Sequence, residues 1–136
     1  MDKKIFNELM TNHDKELTIT KDNISQKSME LPLMYNKYLD IFSKQLKIFK
    51  RLTREREELY GNLYKNYKFF DNHTWSNKHE IETQIFNDPK YQAKKLEYDE
   101  QEIQVKQLEM LLANIKSTSY TIRNIVDYER FKMTGL

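Results

Sequence analysis

The chain has no cysteine, and only two glycines and two prolines among its 136 residues. Without thiols there is no disulfide framework and no thiolate metal site, which suits a reducing compartment. So little turn-forming material gives hairpins or a many-stranded sheet almost no punctuation, and long helices are the natural alternative. Gly61 and Gly135 cannot form a phosphate-cradling loop, which disfavours a nucleotide-driven motor or a kinase. No apolar run approaches the roughly 18 residues of a membrane span, and Met1 to Met10 lacks a signal peptide's apolar centre. The chain therefore reads as cytosolic, with no membrane partner. A large charge excess is missing too: 23 basic residues against 21 acidic ones leave only +2, so any signal for a polyanionic partner must be local.

Clustered catalytic groups are equally scarce. His13, His73 and His79 are scattered, and the carboxylates lie in charge-balanced helical surface rather than as an acid–base pair. Asn77, His79 and Glu80 do not make a metal-ligand spacing. The expectation is a non-enzymatic protein with no metal and no cofactor.

What is present is helical periodicity, and by length one domain. It divides into a leading stretch (1–32), a basic helix (33–70), a loop with a short helix (71–88) and a last helical stretch (89–136). Asp2 caps a short amphipathic helix through Ile5, Phe6, Leu9 and Met10 that ends near His13. Thr18 to Met29 is mixed and reads as extended or loosely helical, with Pro32 in the first turn of the basic helix. From Leu33 to about Tyr67 the apolar residues repeat at helical steps, with Tyr35, Phe42, Phe49 and Leu63 at multiples of seven. About 35 residues of helix would be roughly 50 Å long, more than so small a domain can cover without a partner helix or another subunit.

Asp71 to Asn77 carries turn formers. Asn77 then caps a short helix with Ile81, Ile85 and Phe86 inward, and Asp88-Pro89 restarts a helix as cap and first residue. The last segment is coiled-coil-like through Tyr91, Tyr98, Val105, Leu108, Leu112 and Ile115, with Ser117 to Ser119 as a place where it could kink or begin again. The fold class is all-α: a long antiparallel helical hairpin with a short N-terminal helix and a C-terminal helix, whose apolar flanks stay exposed unless copies associate.

Charge is uneven along these stretches. Residues 33–70 hold nine basic and four acidic residues, whereas the stretches on either side have a slight acidic excess. Lys44, Lys47, Lys50, Arg51 and Arg54 recur at three- and four-residue steps, so they share a surface able to neutralise a run of phosphates. The plain alternative is a solvated face, and Arg54 with Glu58 fits an ordinary ion pair. Further along, "LYGNLYKNYKFF" (Leu59 to Phe70) and Trp75 interleave rings with Lys65 and Lys68. Proteins that bind single strands combine a basic track with rings on which bases stack. Tyr60, Leu63 and Tyr67 lie on the apolar stripe and read as core, while Tyr64, Lys65 and Lys68 face outward.

Three segments carry a resemblance. "MYNKYL" (Met34 to Leu39), the leading "ITKDNISQKSMELP" and above all "LLANIKSTSYTIRNIVDYERFKMTG" (Leu111 to Gly135) resemble the UvsY recombination mediators of T-even-type phages. That resemblance implies a small helical mediator forming a ring-like homo-oligomer of six or seven subunits, seven favoured. It would bind single-stranded DNA in the cytoplasm of an infected bacterial host and help load a phage RecA-like recombinase onto strands covered by the phage single-strand-binding protein. The C-terminal part would make the oligomer, giving Ile115, Ile122, Ile125, Val126, Tyr128 and Phe131 an intersubunit role. In that family a Lys-x-Arg pair precedes an "LDYY"-like stretch. The matching positions here, Gly61 and Leu63, lack it, so DNA binding is assigned on physical grounds to Lys44, Lys47, Lys50, Arg51, Arg54, Tyr64, Lys65 and Lys68. The rival reading is a structural coiled-coil assembly or adaptor protein without nucleic acid.

Overall fold

The structure, a computed structural model, describes residues 1–70 and 77–134, apart from the side chain of Phe70. Trp75, His73, Gly135 and most of the predicted turn at Asp71 to Asn77 therefore lie outside the described residues. Helix α1 spans Lys3–Glu16, α2 Ile24–Lys65, α3 Lys78–Asn87 and α4 Pro89–Thr134, and a π-helical turn, Asn66–Phe70, continues α2. No strand occurs among the described residues. The chain divides into two compact units, one of Met1–Lys44 with Gln104–Leu136 and the other of Gln45–Ile103.

In the first unit Asp2 caps α1 as its chemistry suggests: Oδ1 accepts from the Lys4 and Ile5 amides at 3.0 and 3.2 Å, satisfying donors the helix leaves open. α1 buries Phe6 and His13 and packs Leu9 and Met10 against a core of Leu31, Met34 and Tyr38 from α2 and Leu111, Leu112, Ile115 and Ile122 from α4. Leu31 and Tyr38 are seven residues apart, as are Ile115 and Ile122, so each pair sits on one helical stripe. Full burial of such side chains is worth about 1.5–3 kcal/mol each.

One expectation fails in this unit and one open alternative is decided, both because tertiary packing outweighs local preference. α2 begins at Ile24 rather than at Pro32, which becomes its ninth residue and cannot donate to the Ser28 carbonyl. Asn23 organises the start: its Oδ1 accepts from the Thr20 amide at 2.7 Å, and its backbone carbonyl accepts from Lys27 N–H at 2.8 Å. Ile24 packs on the core cluster, which rewards the extra turns, and Pro32 stays exposed. Ser117 to Ser119 neither kink nor restart the last helix. α4 runs through them, with Thr121 Oγ1 donating back to the Ser117 carbonyl at 3.0 Å.

In the second unit the caps of α3 and α4 fall where the sequence puts them. Asn77 Oδ1 accepts from the Glu80 amide at 2.9 Å, and Asp88 Oδ1 from the Lys90 amide at 2.8 Å. Leu63, Ile81, Ile85 and Tyr91 form the core, flanked by Leu59, Tyr60, Tyr64 and Tyr67. α2 and α4 run antiparallel here: Gln45 meets Gln101, Glu55 meets Lys94, and Tyr60 meets Tyr91. Of the two buried seam positions Gln45 and Gln101, neither is apolar.

Candidate nucleic-acid interface

α2 carries the basic set, and because the apolar stripe of the helix is turned to α4, the lysines and arginines between its positions reach solvent. Lys47, Lys50, Arg54 and Lys65 are exposed, and no carboxylate lies within 4 Å of them among the described residues. Arg51 is exposed too but pairs with Glu55 at 3.5 Å. Lys44 belongs to the first unit, where it pairs with Asp40 at 2.9 Å. The pair expected between Arg54 and Glu58 does not form among the described residues.

Glu55 is the busier acid. Its Oε2 accepts from Lys94 Nζ at 2.9 Å, and this hydrogen bond, above all, holds the Glu55 carboxyl below its ordinary range and raises Lys94. Glu55 thereby ties α2 to α4.

At the far end of α2 the rings gather. Tyr60 stacks on Tyr64 at 6.5 Å between centroids, meets Tyr91 edge-on at 6.2 Å and lies 6.4 Å from Phe86. Burial chiefly, then the charge of Glu82 and a hydrogen bond to it, push the Tyr60 hydroxyl pKa up. Tyr64 is half-buried rather than fully outward, and Lys68 Nζ sits 5.8 Å from its ring centroid and 5.3 Å from that of Phe69, which is 67% exposed. Tyr67 turns inward and donates its hydroxyl to Asp88 Oδ2 at 2.8 Å. Desolvation would raise the Asp88 carboxyl, but that bond and the amides of Lys90 and Tyr91 outweigh it and hold the group low. A single carboxylate thus starts α4 and anchors the ring cluster.

Leu63 is 8% exposed and belongs to this core, so a cation there would be desolvated without a partner. Arg54 is exposed and Arg56, two residues on, is half-buried. The Arg56 guanidinium lies 4.0 Å over the Tyr98 ring, itself packed at 5.0 Å on Phe49. Sequence reasoning missed this stack, since nothing in the local pattern pairs residues 42 positions apart.

The predicted oligomer residues separate. Ile115 and Ile122 are 2% and 3% exposed within the chain's own core, so their surface is not left for another subunit. Ile125 and Val126 are half-buried, while Tyr128 and Phe131 are 59% and 58% exposed. No grouping of three or more His, Cys, Asp or Glu able to hold a metal occurs among the described residues, and no helix there is long and apolar enough to cross a membrane.

A sequence model of a family described as the recombination, repair and single-stranded-DNA-binding protein UvsY matches residues 12–135. The chain belongs to the UvsY family. Two crystal structures of the bacteriophage T4 recombination mediator protein UvsY share its fold. One superposes with a TM-score of 0.81 at 19% identity, covering 93% of this chain and 96% of that one. The other, from a different lattice, gives 0.80 at 18%, covering 93% and 97%. No curated protein matches the sequence. At such identity the likeness extends to backbone, and the UvsY-family side chains on this surface have to be read from this chain itself.

Proposed function

We propose that this protein is a recombination mediator that binds single-stranded DNA along the basic face of α2 and promotes loading of a RecA-like phage recombinase onto strands covered by single-strand-binding protein. It acts in the host cytoplasm as a ring of six or seven copies, seven favoured. The observation that carries the reading is the set of exposed cations Lys47, Lys50, Arg54 and Lys65, with no carboxylate within 4 Å among the described residues, leading to the rings at Tyr64 and Phe69. Lys68 joins them from the π-helical turn, and Lys44 and Arg51 remain usable because exposed ion pairs are worth only about 0–1 kcal/mol. Each copy offers a modest patch. Repetition around an axis gives one strand many weak contacts at high effective concentration. Tyr128 and Phe131, exposed at the end of α4, are the side chains best placed to join copies.

A mediator needs no reacting group, because differences in binding alone decide which protein occupies the strand. The test is recombinase filament assembly on single-stranded DNA pre-covered by single-strand-binding protein. Added protein should shorten the lag and should do so less as salt rises. An unchanged lag at saturating protein would refute the mediator role.

A further inference from the structure

A second basic surface lies in the first unit, where 12 basic residues against 10 acidic ones leave only a slight basic excess. Lys116, Arg123 and Arg130 stand seven residues apart on α4, so they line up at about 10.5 Å intervals along one side of the helix. All three are exposed, and no carboxylate lies within 4 Å of any of them among the described residues. They edge two adjoining grooves between α2 and α4, of about 270 and 280 Å³, that share Leu31 and Ser119. Lys116 Nζ sits 5.5 Å over the half-buried Tyr35 ring in the first groove, and Asp127 is the lone acid lining the second.

We propose that this stripe is a second subsite for the phosphate backbone of single-stranded DNA, with a base set against Tyr35. The inference rests on the DNA-binding reading above and extends it to residues outside the α2 set. Three evenly spaced cations, with no carboxylate within 4 Å among the described residues and Asp127 as the one acid lining their groove, match a polyanion of regular repeat, and a groove lined by an aromatic ring suits a flat base better than a peptide side chain. Ile115 and Ile122 lie beside the stripe on the core side. At about 100° per residue, Ile125 and Tyr128 fall more than roughly 130° round the helix from Arg123, so an assembly centred on them leaves the stripe open, while Phe131, about 80° from Arg123, borders it. Asp127 opposes phosphate, which makes it the informative residue.

The experiment is titration of oligo-dT over a salt series with the full chain, together with amine acetylation of the wild-type protein with and without oligo-dT. The triple variant Lys116→Gln, Arg123→Gln, Arg130→Gln should lower the log–log salt slope by about 2, at roughly 0.7 per phosphate contact. Asp127→Asn, which disturbs no packing, should tighten binding several-fold. In the wild type, Lys116 should be protected from acetylation by oligo-dT. A wild-type slope in the triple variant, unchanged affinity in Asp127→Asn, or unprotected Lys116 beside normal binding each overturns the second subsite and leaves the α2 reading standing. Protection of Lys116 by an oligo-glutamate of equal charge, but not by oligo-dT, would assign the groove to an acidic peptide instead. Absence of any oligo-dT binding would remove both.

Discussion

The side-chain amide of Gln101 donates to both the side-chain oxygen and the backbone carbonyl of Gln45, each at 3.0 Å, inside the seam between α2 and α4. Both residues are buried, at 6% and 7% exposure. A polar pair in an apolar seam contributes little net stability but penalises any slip of one helix against the other, since a shifted register buries both amides unsatisfied.

Gln101→Ala should therefore cost about 1–3 kcal/mol, because it removes both hydrogen bonds that Gln101 gives to α2 in a buried seam. The double change Gln45→Leu with Gln101→Leu should come near the wild type or above it. Urea unfolding of the three proteins at one fixed concentration measures this, and a double variant as weak as Gln101→Ala would contradict the pairing.

His13 sets an acid limit to stability. Its imidazole is 2% exposed, edge-on to Tyr38 at 5.3 Å, and neither ring nitrogen has a hydrogen-bond partner among the described residues. Burial lowers its pKa from the ordinary 6.5, against the opposing charges of Asp14 and Glu16. The unfolded chain then binds a proton that the folded one does not, so stability should fall as pH drops below about 6.5, by at most about 1.4 kcal/mol per pH unit. Glu55 and Asp88, held low in the fold, add their losses only below about pH 4.5. Thermal melts of the wild type and His13→Leu between pH 7.5 and 5 check this: the variant should be nearly flat across the range.

Burial inside one chain and burial between chains should separate by mutation. Ile122→Ala should cost about 2–4 kcal/mol as a core truncation. Tyr128→Ser with Phe131→Ser should instead leave helicity intact and reduce the mass seen by light scattering. Equal loss of mass and helicity in both would show that the exposed rings serve the subunit's own fold.

How much of this was legible depended on how local the deciding chemistry is. Asn77 and Asp88-Pro89 could be placed to the residue because a cap acts over three positions. The start of α2 could not, since Ile24 repays the turn before Pro32 only through contact with a distant cluster. Whether the helix breaks at Ser117 to Ser119 stayed open in the sequence, because Ile115 and Ile122 hold it from either side through contacts out of reach of a local pattern. Gln45 and Gln101 resemble surface residues until their partners are known, and periodicity cannot say whether Ile115 faces its own chain or a neighbour. For the interface, the basic run on α2 was visible as spacing, whereas the counter-charge at Lys44 and Arg51, the Arg56 stack and the stripe on α4 needed coordinates.

The most direct measurement is the affinity for oligo-dT against salt, for the wild type and for a variant with Lys47, Lys50, Arg54, Lys65 and Lys68 changed to Gln, each at confirmed assembly mass. Binding should weaken steeply with salt in the wild type, and the variant should bind many-fold more weakly with a shallower slope, by about 0.7 for each phosphate contact removed. A variant that binds as tightly and with the same slope as the wild type, or a wild type indifferent to oligo-dT at low salt, would contradict a DNA-binding face on α2.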